Sequence, residues 1–268
     1  MVAFPGCKIN LGLHVIRRRP DGYHDLDTCF YPLPWSDVLE WIPSASQSFT
    51  TSGLPIPGEV SENLCLKAYR VLASKHGIPS AKGHLHKIIP MGAGLGGGSA
   101  DGAITLRVLN ELFELRLTVP QLTDYARELG SDCAYFLLNG PAFGTGRGDV
   151  LEPAAMILKG YFMVVVVPDV HVSTAQAYAG VKPSLPLEPL AETLKRPIET
   201  WKDKLVNDFE HSVFARFPEL AALKTKMYDL GAVYASMSGS GSAIYGIFRS
   251  EVSRLHHFPV LPGWDGWL

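Results

Sequence analysis

Residues 92–101 read GAGLGGGSAD, and no other stretch of the chain restricts its fold as much. Gly92, Gly94, Gly96, Gly97 and Gly98 fall within seven positions. Upstream, Gly83–Ile89 (GHLHKII) has the pattern of a strand that stops at Pro90. Downstream, Ser99 leads into a helix-forming run, Ala100–Phe113. A strand, a glycine loop and a helix start together present bare backbone N–H groups and the positive end of a helix to a phosphate. Glycine is needed there because a side chain blocks close approach and resists positive φ. A simple turn needs only one or two glycines, so the run reads as a phosphate-binding loop.

The spacing excludes several kinds of phosphate loop. A Walker loop has lysine just before its Ser or Thr, whereas Gly98 precedes Ser99 here. Gly92, Gly94 and Gly97 satisfy GxGxxG, but a dinucleotide fingerprint also needs an acidic residue ending the next strand. Glu111 and Glu114 fall instead in or just after the helix. A protein-kinase glycine loop bridges two strands, and here a helix follows.

Composition narrows the function classes. The formal net charge is −2 and the longest basic run is Arg17–Arg19, which argues against sequence-independent nucleic-acid binding. The longest apolar run, Tyr161–Val167, is far short of the roughly 20 residues of a membrane-spanning helix. No long apolar segment marks the N-terminus as a signal peptide. Cys7, Cys29, Cys65 and Cys133 form no CxxC pair, so a zinc site or disulfide framework is not expected, and a reducing cytoplasm is. At 268 residues the chain is long enough for one large domain or two small ones.

Periodicity supplies the remaining elements. Cys7–Ile16 alternates as a strand, with Lys8, Asn10 and Gly12 on the face opposite Ile9, Leu11, Leu13 and Val15. Asp21-Gly22 marks a turn, Asp27–Trp41 reads as strand and loop, and Ser44–Gly58 as a hairpin or surface loop. A helix is expected over Ser61–Lys75 with Ser61 as N-cap, and another after the capping pair Thr118 and Gln121, stopped by Gly130. Asp132 then lies in a loop just past a helix end. Tyr161–Val167 reads as a buried strand, and Ser173 or Thr174 caps a short helix through Tyr178. Helices are expected at Asp203–Ala215 and Glu219–Leu230, and strands at Val233–Met237 and Ala243–Phe248 around a second glycine turn. Strands and helices mix without steady alternation, which favours an α+β fold over a doubly wound sheet.

Several segments together resemble the GHMP kinase superfamily. Pro90–Ser99 (PMGAGLGGGS) fits its loop P-x-G-x-G-L-G-[GS]-[GS]-S at every fixed position. Pro5–Leu13 (PGCKINLGL) resembles its N-terminal motif, and Met237–Ser242 (MSGSGS) its C-terminal glycine motif. Arg19–Asp25 (RPDGYHD), Leu129–Leu138 (LGSDCAYFLL) and Val206–Glu210 (VNDFE) resemble the branch whose substrate is a small cytidine diphosphate alcohol of isoprenoid-precursor synthesis. The chain departs from that branch at Ser131, Ala134 and Tyr135. The tail after Phe248, with Trp264 and Trp267, resembles no pattern of the family.

The resemblance implies two α+β domains, joined near residue 150 (1–150 and 151–268), with the active site in the cleft between them, ATP and Mg²⁺ as requirements, and a monomer or homodimer. It implies Asp132 as general base, with Lys8 orienting the hydroxyl and stabilising its developing negative charge. Pro90, Gly92, Gly94, Leu95, Gly96, Gly97, Gly98 and Ser99 are the expected phosphate cradle, and Ser99 is also a candidate Mg²⁺ ligand or helix N-cap. Asn63 and Lys87 are candidates for the adenine side. Asn10, Tyr23, His24, Thr174 and Tyr178 are candidates for the substrate, Tyr23 and Tyr178 by stacking and His24 by reading the cytosine edge. Gly239 and Ser240 are expected to bring backbone amides to its diphosphate. Kinases of the same superfamily acting on homoserine, mevalonate or a sugar are the nearest alternatives. A catalytically silent ligand sensor and a nicotinamide oxidoreductase are more distant ones.

Overall fold

The computed structural model describes residues 1–138, 140–155 and 158–251; the tryptophans of the tail lie outside the described residues. In chain order the strands are β1 (Val2–Ala3), β2 (Gly6–Arg18), β3 (His24–Ser36), β4 (Val38–Pro43), β5 (Ser48–Gly53), β6 (Ala81–Lys87), β7 (Ala142–Thr145), β8 (Val150–Pro153), β9 (Phe162–Val166), β10 (Tyr234–Met237) and β11 (Ile244–Phe248). The helices are α1 (Leu64–His76), α2 (Gly97–Leu112), α3 (Val119–Leu129), α4 (Thr174–Ala179), α5 (Leu190–Leu194), α6 (Phe209–Arg216) and α7 (Pro218–Asp229). Among the described residues no helix is long and apolar enough to cross a membrane.

The chain forms two compact units: Met1–Lys8, Pro32–Met91 and Gly96–Gly140 in the first, and Ile9–Tyr31, Gly92–Leu95 and the residues from Pro141 onward in the second. Each unit is discontinuous along the chain. Strand pairing decides it, because β2 and β3 join a sheet ordered β2-β3-β7-β8.

In the first unit the sheet order is β1-β4-β6-β5, antiparallel except for the parallel β5/β6 pair. Along β6, Ala81, Gly83, Leu85 and Lys87 are buried while Lys82, His84 and His86 alternate outward. Gly83 leaves room for Trp41, whose ring stacks on Tyr69 of α1 at 5.6 Å between centroids. The Ser/Thr-rich segment expected as a hairpin or surface loop contains β5, paired in parallel from Ser48↔Lys82 to Gly53↔Lys87. A backbone ladder needs no apolar side chains, so composition hid it. The expected Ser61 cap is also displaced: Val60–Glu62 is a 3₁₀ turn, and Asn63 caps α1 by accepting from the Cys65 N–H at 2.9 Å. The Thr118–Gln121 pair forms as expected, with Thr118 N donating to Gln121 Oε1 at 2.9 Å.

The second unit holds Ile9–Arg18 of β2, His24–Tyr31 of β3, β7 and β8, and an antiparallel sheet ordered β10-β11-β9. Leu13, Val15, Val166, Phe209, Val213, Leu220, Met227, Met237, Ile244 and Phe248 are buried in one core. β9 is an edge strand of its sheet, and Phe162 is 45% exposed, so the apolar run is less buried than its composition implies. Helix α6 begins at Phe209 rather than near 203. The backbone just before it is spent on β2, with Leu13 N donating to Val206 O and Asp208 N to Leu13 O, both at 2.9 Å.

Candidate active site

In the first unit, the glycine run leads directly into α2. Gly96 is the N-cap, at φ +72°, and as a glycine it brings no side chain to the first-turn amides of Gly97, Gly98 and Ser99. Ser99 is therefore a first-turn helix residue and not the cap. Open amides at the positive end of a 16-residue helix suit an anion. A Cβ at Gly96 would lie 3.1 Å from Lys8 Cε and 2.9 Å from Phe136 Cζ, so this glycine lets the lysine stem lie against the loop. Lys8 is buried, and its Nζ stands 3.4 Å from Asp132 Oδ2, whose side chain is 36% exposed. Asp132 precedes a 3₁₀ turn, Cys133–Leu137, without capping it. Its carboxylate thus faces the lysine instead of finishing a turn. Arg107 of α2 holds that turn by donating to Phe136 O and Leu137 O, each at 3.3 Å. Burial pushes the neighbouring Cys133 thiol up to about 12, which keeps it un-ionised at neutral pH.

Lys87 is placed differently from the expectation that it meets the nucleotide. Its side chain is fully buried, and its Nζ donates to Asp37 Oδ2 at 2.5 Å and Asp101 Oδ2 at 2.7 Å. Its carbonyl accepts from Leu54 N at 2.8 Å. Asp37 Oδ1 in turn accepts from the Ile88 and Ile89 amides, the last residues before Pro90. Lys87 therefore braces the loop from beneath. Burial pushes the Asp101 carboxyl up to about 7; Lys87 opposes that rise and Asp37 adds to it. Asn63 likewise uses its side-chain carbonyl to cap α1.

In the second unit, Gly92–Leu95 lies against the second glycine turn. Ser238 Oγ donates to Gly94 O at 2.9 Å, and Ala243 N donates to Ala93 O at 3.0 Å. Leu95 is buried and Pro90 half-buried. Gly94 has φ +78°, and a Cβ there would stand 2.0 Å from Ser238 O. Gly94→Ala is expected to disrupt this packing and lower kcat/KM for ATP by at least about tenfold, read by steady-state kinetics. Unchanged ATP kinetics would show that the loop does not need this contact.

Asn10 is buried behind the same turn. Its Nδ2 donates to Thr28 Oγ1 at 2.8 Å, its N–H to Ser238 Oγ at 3.3 Å, and its carbonyl accepts from Tyr245 OH at 2.8 Å. Sequence reasoning missed the work of the VNDFE segment. Asn207 Nδ2 donates to the carbonyls of Met237 and Gly239, both at 2.8 Å. Asp208 Oδ2 accepts from Val15 N at 2.8 Å. Glu210 Oε1 accepts from Ser236 Oγ and Met237 N, bracing β10. The segment's resemblance to a motif was the only signal.

The aromatic candidates also gather in the second unit. His24 stacks on Tyr178 with centroids 4.7 Å apart and planes inclined by 23°. Phe209 meets Tyr178 edge-on at 4.7 Å. Burial lowers the His24 pKa, and the charge of Arg18 lowers it further, so the imidazole favours its neutral form. Tyr23 is 54% exposed and carries the Arg147 guanidinium 4.9 Å from its ring centroid. Ser173, not Thr174, caps α4, accepting from Gln176 N at 3.2 Å. Thr174 thereby opens the helix that carries Tyr178. In the second glycine turn, Ser240 is half-buried and Gly239 has φ +54°.

Comparison with known proteins shows the family. Residues 63–140 match the GHMP kinases N terminal domain family and residues 188–257 the GHMP kinases C terminal family. The chain is 48% identical over 257 residues to a 4-diphosphocytidyl-2-C-methyl-D-erythritol kinase of Cytophaga hutchinsonii, covering 96% of this chain and 95% of the relative. It is 48% identical over 255 residues to the kinase of that name from Bacteroides fragilis, covering 94% and 93%. A crystal structure of 4-(cytidine 5'-diphospho)-2C-methyl-D-erythritol kinase superposes with a TM-score of 0.77 at 36% identity, covering 92% of this chain and 90% of that one. A homoserine kinase structure from Cytophaga hutchinsonii, at 18% identity and a TM-score of 0.69 over 92% of this chain and 86% of that one, shares the fold. The chain therefore belongs to the 4-diphosphocytidyl-2-C-methyl-D-erythritol kinase family of the ATP-dependent GHMP kinases.

Proposed function

We propose that this kinase transfers the terminal phosphoryl group of ATP to the 2-hydroxyl of 4-diphosphocytidyl-2-C-methyl-D-erythritol, a step of non-mevalonate isoprenoid-precursor synthesis in the cytoplasm. The observation that carries the chemistry is the Lys8–Asp132 pair beside the open amides at the start of α2. Asp132 is the proposed general base, accepting the hydroxyl proton as the substrate oxygen bonds to phosphorus and the bond to the ADP oxygen breaks. Lys8 orients that hydroxyl and balances its developing negative charge. The amides of Gly97, Gly98 and Ser99 are the proposed phosphate donors, and the positive φ of Gly92, Gly94 and Gly96 keeps the loop free of side chains.

Magnesium fits this set as an ion carried on the triphosphate. Among the described residues no three His, Cys, Asp or Glu side chains form a ligand cluster, and Mg²⁺ commonly takes only one or two protein ligands beside phosphate oxygens. Ser99 is the proposed hydroxyl ligand. When bound, the ion neutralises charge on the transferring group.

The His24–Tyr178 stack is the proposed cytosine platform, with the neutral imidazole able to offer one donor and one acceptor. Asn10, Tyr23, Thr174, Gly239 and Ser240 complete the proposed substrate side, Asn10 acting by holding the glycine turn. Tyr178→Ala is expected to raise KM for the cytidine substrate about 2–10-fold with little change in kcat. Substrate kinetics at saturating ATP test this, and a change confined to the ATP KM would refute the platform. The function as a whole is tested by turnover of the cytidine substrate against other alcohols, with Asp132→Asn as the control.

A further inference from the structure

We infer that Asn207 is a positioning residue for phosphoryl transfer, acting by fixing the second glycine turn against the phosphate loop; this rests on the kinase reading above. The side chain is fully committed. Its two amide donations gather the carbonyls of Met237 and Gly239 onto one nitrogen, and Oδ1 accepts from Phe209 N at 3.0 Å. The residue is 2% exposed, so no solvent substitutes for these bonds. Between the two gathered carbonyls sits Ser238. Its hydroxyl donates to Gly94 O at 2.9 Å and accepts from Asn10 N at 3.3 Å. One asparagine thus sets the shape of residues 237–239, and that shape sets the contact with Gly94. Gly239 sits at φ +54°, and a Cβ there would lie 3.2 Å from Gly94 O, so the turn touches the loop with little slack.

Glu210 provides the contrast. It binds the same strand end through Ser236 Oγ and Met237 N and pairs with Lys224 Nζ at 2.6 Å, and among the described residues it makes no hydrogen bond to residues 238–241. A structural role alone would make the two residues behave alike.

The test compares Asn207→Asp, which keeps the shape and the Phe209 cap but removes both donors, with Glu210→Gln. Kinetics are read well below each melting temperature. Asn207→Asp is expected to lower kcat about 10²-fold, since small misplacements of reacting groups cost about that much, with the ATP KM within about threefold. Glu210→Gln is expected to lose thermal stability and keep kcat within about threefold. Ser238→Ala, a smaller change that removes the link to Gly94, is expected to reproduce the kcat loss in milder form, about tenfold, and reports on the inference if Asn207→Asp does not fold. Equal kcat values for Asn207→Asp and Glu210→Gln, or a Ser238→Ala enzyme as fast as wild type, would overturn the inference. Wild-type turnover across cytidine, homoserine and mevalonate acceptors tests the substrate assignment separately, and the variants are read on whichever acceptor turns over.

Discussion

Asp132→Asn is expected to lower kcat about 10²–10⁴-fold, the range that general-base assistance contributes. Asparagine keeps the shape but cannot take the hydroxyl proton. The open amides of α2 and the loop glycines are untouched by the change, so ATP should still raise the melting temperature of the variant. Residual activity is expected because positioning and phosphate contacts persist. The buried Lys8, 3.4 Å from the carboxylate, loses this ion pair, so some loss of stability accompanies the kinetic effect. The decisive pattern is a collapsed kcat with an ATP-dependent thermal shift intact. A kcat within about tenfold of wild type would remove Asp132 from the role of base.

Lys87→Met is expected to produce the largest loss of stability. It leaves Asp37 and Asp101 buried with no cation between them. Breaking a buried ion pair from one side costs about 3–5 kcal/mol, or roughly 6–20 °C in melting temperature for a chain of this size. Asp101→Asn should cost less, because burial already pushes the Asp101 carboxyl up to about 7 and its Oδ1 has no hydrogen-bond partner among the described residues. Calorimetry of the nucleotide-free proteins separates this account from one in which Lys87 meets ATP. Under that alternative the free Lys87→Met protein keeps its melting temperature and only the ATP KM rises.

The parts of the site readable in the sequence are those written in backbone conformation and local spacing. Five glycines ahead of a helix-forming run specify open amides whatever surrounds them, and Gly92, Gly94 and Gly96 all adopt positive φ. Asp132 after a helix stop and Lys8 on an early strand stand 3.4 Å apart. Asn63 and Lys87 show the limit of such reasoning. A motif gives the position of a polar residue but not whether it faces a ligand, caps a helix or pairs with carboxylates contributed by distant segments. Asn207 was legible only as part of a motif, because its partners Met237 and Gly239 follow an intervening helix pair. Strand β5 escaped notice because its ladder runs through the backbone of Ser and Thr residues. The division into compact units was equally hidden, since it follows which strands pair and not where the chain turns from one half to the next.

The most direct measurement is ADP release with ATP and Mg²⁺ in the presence of 4-diphosphocytidyl-2-C-methyl-D-erythritol, homoserine or mevalonate, run beside Asp132→Asn. Turnover of the cytidine substrate alone, lost in the variant, is the predicted result. Turnover of homoserine or mevalonate in its place would contradict the His24–Tyr178 platform, and no turnover of any acceptor despite ATP binding would contradict the kinase assignment itself.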